Sequence, residues 1–174
     1  MLSQPAKQIA VWCQNPHHRL MQTVWQRDNV IALTQIFEHS LRHWTGRTLL
    51  PGVFPPAKLA EAVFYAPFVL VAHGTEADPV LHYGNRTALA LWEMSWEELT
   101  QTPSRLTAEA PNREERARLL AAVTAKGFID DYSGIRISKS GQRFRILQAT
   151  VWNLLSSEGN LCGQAAKFDH WEML

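Results

Sequence analysis

The chain has 174 residues, 46% of them apolar, and a formal net charge of +1. That length supports one domain with a proper core; the near-neutral balance, with no block of Lys or Arg, argues against a nucleic-acid partner. No apolar run approaches membrane-spanning length, and residues 1–7 lack the basic head and apolar body of a signal peptide, so neither a membrane partner nor export is expected. Cys13 and Cys162 stand far apart, with neither metal-ligand spacing nor a disulfide framework, which fits a cytoplasmic location.

Residues 1–27 read as a tail with a short helix, and residues 28–174 as the domain. Asn15-Pro16 is a helix start that would carry Leu20, Met21, Val24 and Trp25. Asp28 then offers an N-cap to a helix over 29–44. There Ile31, Leu33, Ile36, Phe37, Leu41 and Trp44 recur near helical spacing, and Gly46 is a natural stop. Pro56 opens another short helix with Leu59, Val63 and Phe64. An apolar strand over 68–73, a polar turn and a short strand over 80–83 follow. Asn85 caps a helix through Leu89, Leu91 and Trp92. Ser95 and Glu98 have capping-box spacing, as do Asn112 and Glu115, which would open a helix closed at Lys126-Gly127.

The last third reads as three strands, 128–138, 143–155 and 161–168, separated by Gly-containing turns of hairpin type. In the middle strand one alternating set is Phe144, Ile146, Gln148, Thr150 and Trp152; the other is Arg145, Leu147, Ala149, Val151 and Asn153. Both sets mix apolar and polar groups, so this strand sits mid-sheet with something packed on each face. The expected fold class is α+β: a five-stranded antiparallel sheet, the short helices of the insert on one face and the N-terminal helices packed against the other.

Tyr83-Gly84-Asn85, Ala88, residues 96–99 (WEEL), Gly127-Phe128, Ser140-Gly141 with Phe144, and Gly163-Gln164 resemble the corresponding strands and helices of PAS domains. Longer stretches, 73–79 (HGTEADP), 83–89 (YGNRTAL), 103–105 (PSR), 127–138 (GFIDDYSGIRIS), 151–154 (VWNL) and 163–166 (GQAA), resemble the MEKHLA domain. That PAS-like domain occurs in bacterial stand-alone proteins and at the C-terminus of plant class III homeodomain–leucine zipper factors. The resemblance implies a sensory or interaction module. It names no ligand or cofactor, because members of the superfamily bind very different things or nothing.

Light-sensing PAS relatives carry a cysteine after the WEEL segment, placed to attack a flavin; residues 100–106 here contain none, so no thiol adduct forms. Haem-binding relatives supply an axial histidine from the helical insert, and no histidine lies between Tyr83 and Asp169; a strand histidine, His73 or His82, could substitute, but nothing in the spacing asks for it. His73, Glu76, Asp78 and His82 flank one turn, but without recognised ligand spacing they are better read as turn chemistry than as a metal site.

Polar residues that interrupt the strands are more suggestive. Arg136, Arg145, Gln148, Asn153 and Gln164 either sit at edges and satisfy backbone groups, or point into a cavity beside aromatic side chains. The ligand-site candidates are Tyr83, Trp92, Arg105, Tyr132, Arg136, Phe144, Gln148, Trp152 and Gln164; for Arg105 the competing role is a tie between its loop and an acidic neighbour. Catalytic motifs are absent, and Asp130-Asp131 would point to opposite faces of a strand, so no enzyme is expected. The expected partners are a small apolar or aromatic ligand or a cofactor, and a second copy of the chain met through the N-terminal helix or the outer sheet face. A module that pairs without any ligand is the alternative.

Overall fold

The computed structural model describes residues 24–174, so most of the short helix expected after Asn15-Pro16 lies outside the described residues. Helix α1 (Asp28–Thr45) buries Val30, Thr34, Phe37, Ser40 and Leu41 along one stripe. The stripe contains hydroxyls because each has a use. Thr34 donates to the Val30 carbonyl at 2.8 Å, and Ser40 accepts from the Leu155 amide at 2.9 Å. Asp28 is not the cap expected of it: Arg27 holds that position without a side-chain bond, and Asp28 lies in the first turn, where the helix dipole favours an acid. Gly46, at φ 72°, closes the helix by donating to the Arg42 carbonyl at 2.9 Å.

Helix α2 (Pro56–Phe64) precedes strands β1 (Val69–His73) and β2 (Leu81–Gly84). The helical insert comprises α3 (Arg86–Trp92), α4 (Trp96–Leu99), a 3-10 turn (Ser104–Thr107) and α5 (Ala110–Lys126). Asn85 caps α3, and it does more. Its Oδ1 accepts from Ala88 and Leu70 amides at 3.1 Å, and its Nδ2 donates to the Phe68 and Val63 carbonyls at 2.8 and 3.2 Å. One fully buried amide thereby ties α2, β1 and α3 together. The capping box of Ser95 and Glu98 is formed at α4. The one expected at Asn112 and Glu115 does not start a helix: α5 already begins at Ala110, with Glu109 at its N-cap.

Strands β3 (Phe128–Ile137), β4 (Arg143–Leu155) and β5 (Leu161–Phe168) follow as expected, and a short β6 (His170–Met173) was not foreseen. The antiparallel sheet runs β2-β1-β5-β4-β3, with β6 paired to the first half of β4. β6 continues the line of β5 after a break at Asp169: Thr150 faces Lys167, and Leu147 faces His170.

The strict alternation expected of β4 does not hold. Tyr132 faces Ala149 while Gly134 faces Ile146, so β4 carries an extra residue there, and Gln148 takes a positive φ of 51°. The bulge exchanges the two faces. Phe144 and Ile146 share a face with Ala149, Val151 and Asn153, while Trp152 and Leu154 turn to the other. On that second face α1 and α2 pack Phe37, Leu41, Val63 and Phe64 against Leu70, Tyr83, Trp152 and Leu154, joined by Trp96 and Leu99 of α4. On the first face α3 and α5 lie over the sheet.

Candidate functional site

α5 does not press flat on the sheet. Asn153 and Gln164, cross-strand partners on β4 and β5, hold its C-terminal half. Asn153 Nδ2 donates to the Val123 carbonyl at 3.0 Å; Gln164 Nε2 reaches the Leu120 carbonyl at 3.1 Å, Thr124 Oγ1 at 3.0 Å and Asn153 Oδ1 at 3.0 Å. Beside this seam lies a hollow of about 60 Å³. Its floor is Val71 and His73 of β1, Gln164, Ala166 and Phe168 of β5, Ile146, Ala149 and Val151 of β4, and Tyr132 and Arg136 of β3. Trp92 of α3, Ser104 and Thr107 of the 3-10 turn, and Arg116, Leu119 and Leu120 of α5 close it from above.

Of the residues expected at a site, Trp92, Tyr132, Arg136 and Gln164 line this hollow. Phe144 stands behind it, buried edge-on to Trp92 with ring centroids 5.2 Å apart. Tyr83 and Trp152 do not reach it. Both are fully buried on the opposite face, Tyr83 between Phe37 and Trp96, where burial holds its phenol well above the usual range. Trp152 is there because the bulge at Gln148 reversed its direction. Gln148 is itself exposed, in a separate polar groove with Arg47, Asp130, Asp131 and Lys167. Arg105 is half exposed, and its Nε donates to both Asp78 carboxylate oxygens at 3.0 Å, tying the 3-10 turn to the β1–β2 turn.

Arg116 is the residue that sequence reasoning missed. It stands in a run, 113–118 (REERAR), that resembles a solvated face. Yet it shares helical spacing with Leu119, Leu120 and Val123, and that i, i+3, i+4, i+7 stripe was the available signal. Arg116 is only 8% exposed and Arg136 only 7%. Arg116 donates to Ser104 Oγ; Arg136 Nη1 donates to the neighbouring Ile135 carbonyl at 2.9 Å, and its guanidinium lies 5.3 Å from the centre of the Tyr132 ring. Among the described residues neither forms an ion pair, and residues 1–23 contain no Asp or Glu that would supply one. Burial first, and then Arg136, bring the Arg116 guanidinium down to about 10, against smaller opposing effects of Tyr132 and of Asp78, so it stays charged at neutral pH. A cation–π contact returns about 0.5–2 kcal/mol, against several kcal/mol for desolvating each ion. The positive charge in this hollow is therefore under-compensated.

His73 is neutral here. Burial brings it down to about 4, with Arg116 and His82 acting in the same direction, against the Gly74 hydrogen bond and Glu76. Its Nδ1 lies 2.8 Å from the Gly74 carbonyl, which only accepts, so Nδ1 carries the proton and Nε2 presents a lone pair. That Nε2 has no partner among the described residues, nor do Trp92 Nε1 and Gln164 Oε1. No group of three or more His, Cys, Asp or Glu among the described residues comes together as a metal site. The flavin that the light-sensing branch of the superfamily implies does not fit, since ligand-sized pockets run to roughly 300–1,000 Å³ and this hollow has about 60 Å³.

Sheet order β2-β1-β5-β4-β3, a helical insert between β2 and β3, and a hollow beneath that insert define a PAS-type domain. The chain belongs to the MEKHLA domain family, whose model matches residues 31–173. It is similar to the PAS domain of a Colwellia psychrerythraea protein, at 15% identity and a TM-score of 0.54 over 65% of this chain and 94% of that one. A fungal LOV domain photoreceptor shows 13% identity and a TM-score of 0.55 over 84% of this chain and 94% of that one. An RNA-binding light-oxygen-voltage receptor shows 18% identity and a TM-score of 0.59, covering 71% of this chain but 36% of the receptor. These likenesses show the fold. No curated protein matches the chain. Among the described residues no helix is long and apolar enough to cross a membrane.

Proposed function

We propose that this chain is a sensory module that takes a small molecule between α5 and the sheet and signals through altered protein contacts. The observation that carries this is the apolar-walled hollow into which two buried guanidinium groups are built without an ion-pair partner among the described residues. Desolvating those charges is unfavourable for folding alone, and a bound molecule supplies the missing partners. The similarity to a light-oxygen-voltage receptor and a fungal photoreceptor supports a sensing role over a purely structural one. A ligand there touches α5 above and β3, β4 and β5 below, so it sets how tightly α5 sits on the sheet. Signalling then requires that the ligand favour one position of α5 over another.

A protein partner reads that position. The sheet face beneath α1 is occupied by the chain's own helix, which leaves the outer side of α1 and the insert as contact surfaces. Mass spectrometry of denatured extracts, together with tryptophan fluorescence and hydrogen exchange during ligand titration, tests the proposal. A retained small molecule, a change in Trp92 emission that is lost in Trp92→Phe, and slower exchange in α5 are expected. An empty protein in which no titrant alters exchange in α5 would overturn it.

A further inference from the structure

We infer that the hollow recognises a small hydroxy acid, with its carboxylate on Arg116 and Arg136 and its hydroxyl donating to His73 Nε2 beside Gln164. This rests on the ligand-binding function proposed above and narrows it to a chemical class. Two positively charged side chains, each more than nine-tenths buried, face one small space without an acid between them. Arg136 helps to lower the Arg116 guanidinium, which places the two charges within electrostatic reach of each other; Asp78, paired with Arg105, acts the other way. A guanidinium presents several N–H donors in a fork that suits carboxylate oxygens. Each of these uses one of its donors on a neutral oxygen, Ser104 Oγ for Arg116 and the Ile135 carbonyl for Arg136.

The opposite side of the hollow has complementary chemistry. His73 and Gln164 are cross-strand partners on β1 and β5, while Arg136, on β3, stands two strands from Gln164 and three from His73. Both present acceptors. The Gly74 carbonyl fixes the proton of His73 on Nδ1 and leaves Nε2 bare. Three acceptors fix Gln164 Nε2 toward α5 and the seam, so Oε1 is the free atom. Two adjacent acceptors call for a donor on the ligand. A hydroxyl serves, giving its single proton to His73 Nε2; an ammonium is disfavoured, because Arg116 is cationic. Apolar walls such as Ile146 and Phe168 favour a short hydrocarbon stem over an inorganic oxyanion, and about 60 Å³ limits it to a few carbons.

The test is calorimetry and thermal melting of the full chain with lactate, propionate, lactamide and inorganic phosphate. Lactate is expected to bind best and propionate more weakly. Lactamide, which lacks the charge, should lose on the order of ten- to a hundredfold in affinity. Arg116→Met and Arg136→Met should each lose lactate binding by a similar factor, while their unliganded melting temperatures stay at or above the parent's, because an uncompensated buried charge has gone. Arg116→Lys retains part of the binding and stands in should a methionine variant fail to fold. His73→Phe should abolish the preference for lactate over propionate. Lactamide binding as well as lactate, or phosphate binding better than any carboxylate, overturns the inference and leaves a ligand-binding module standing. A protein that takes up none of these probes overturns the inference; if its extracts are empty as well, the ligand-binding function falls with it.

Discussion

The two faces of this sheet carry similar aromatic content and different electrostatics. Beneath α1, Phe37, Tyr83, Trp96 and Trp152 interlock, and the buried hydroxyls of that stripe close on backbone groups. Beneath α5, Trp92, Tyr132 and Phe168 surround a void that also holds two guanidinium groups. Unpartnered buried atoms do not separate the faces, since Trp152 Nε1 lacks a partner on the packed side just as Trp92 Nε1 does on the other. Charge and empty volume do. One face is built to hold the fold together, and the other gives up packing and charge compensation.

The contrast breaks most visibly at Trp152. Trp152→Ala removes a fully buried ring from the packed face and should cost about 3–5 kcal/mol in urea unfolding. A loss under about 1 kcal/mol would show that the α1 face is not the structural one. Acid should act chiefly on the other face. His73 ionises near 6.5 when unfolded and near 4 when folded, so the unfolded chain takes up a proton over that window that the folded chain refuses. Stability is full above about pH 6.5 and falls as pH drops toward 4, by up to roughly 3 kcal/mol. His82, also lowered by burial, works in the same direction. The carboxylates of Glu93, held low by Ser138 and Ser140, and of Glu98, held low by Lys139, lose their contribution at more acid pH. Urea midpoints between pH 7 and 5 therefore isolate the histidines, and the slope should flatten in His73→Gln.

Smaller effects sharpen the comparison. Arg116→Met should leave stability unchanged or raise it by about 1 kcal/mol, unlike any truncation under α1; a loss of several kcal/mol would show that the charge is structurally compensated. Gln148→Gly relieves a left-handed backbone at an exposed position and should stabilise by about 1 kcal/mol. An unchanged midpoint there would mean the bulge carries no strain.

Local chemistry made much of this molecule legible. Asn85 announces its helix because a short amide before an apolar run satisfies free amides. Gly46 and Gly127 end helices because they accept positive φ, and at Gly127 a side chain would also strike the Trp44 ring. The strand boundaries of 128–168 follow from turn residues. Trp92, Tyr132, Arg136 and Gln164, which line the hollow, are legible as candidates because polar or aromatic interruptions of apolar strands are visible in one dimension.

Tertiary structure alone decided which way those side chains point. One extra residue at Gln148 reverses the parity of β4, so Trp152 left the face that counting by twos assigns to it, and Asn153 arrived to anchor α5. No pattern in 143–155 marks that bulge, because its cause lies in the pairing with β3 and in the break at Asp169 opposite. Arg116 comes to line the hollow only when α5 is laid across the sheet: a charge in a charged run is solvated until another layer covers it. Sequence determined the elements and their order, since those depend on neighbours along the chain; the hollow and its charges belong to contacts between layers, which only the folded chain creates.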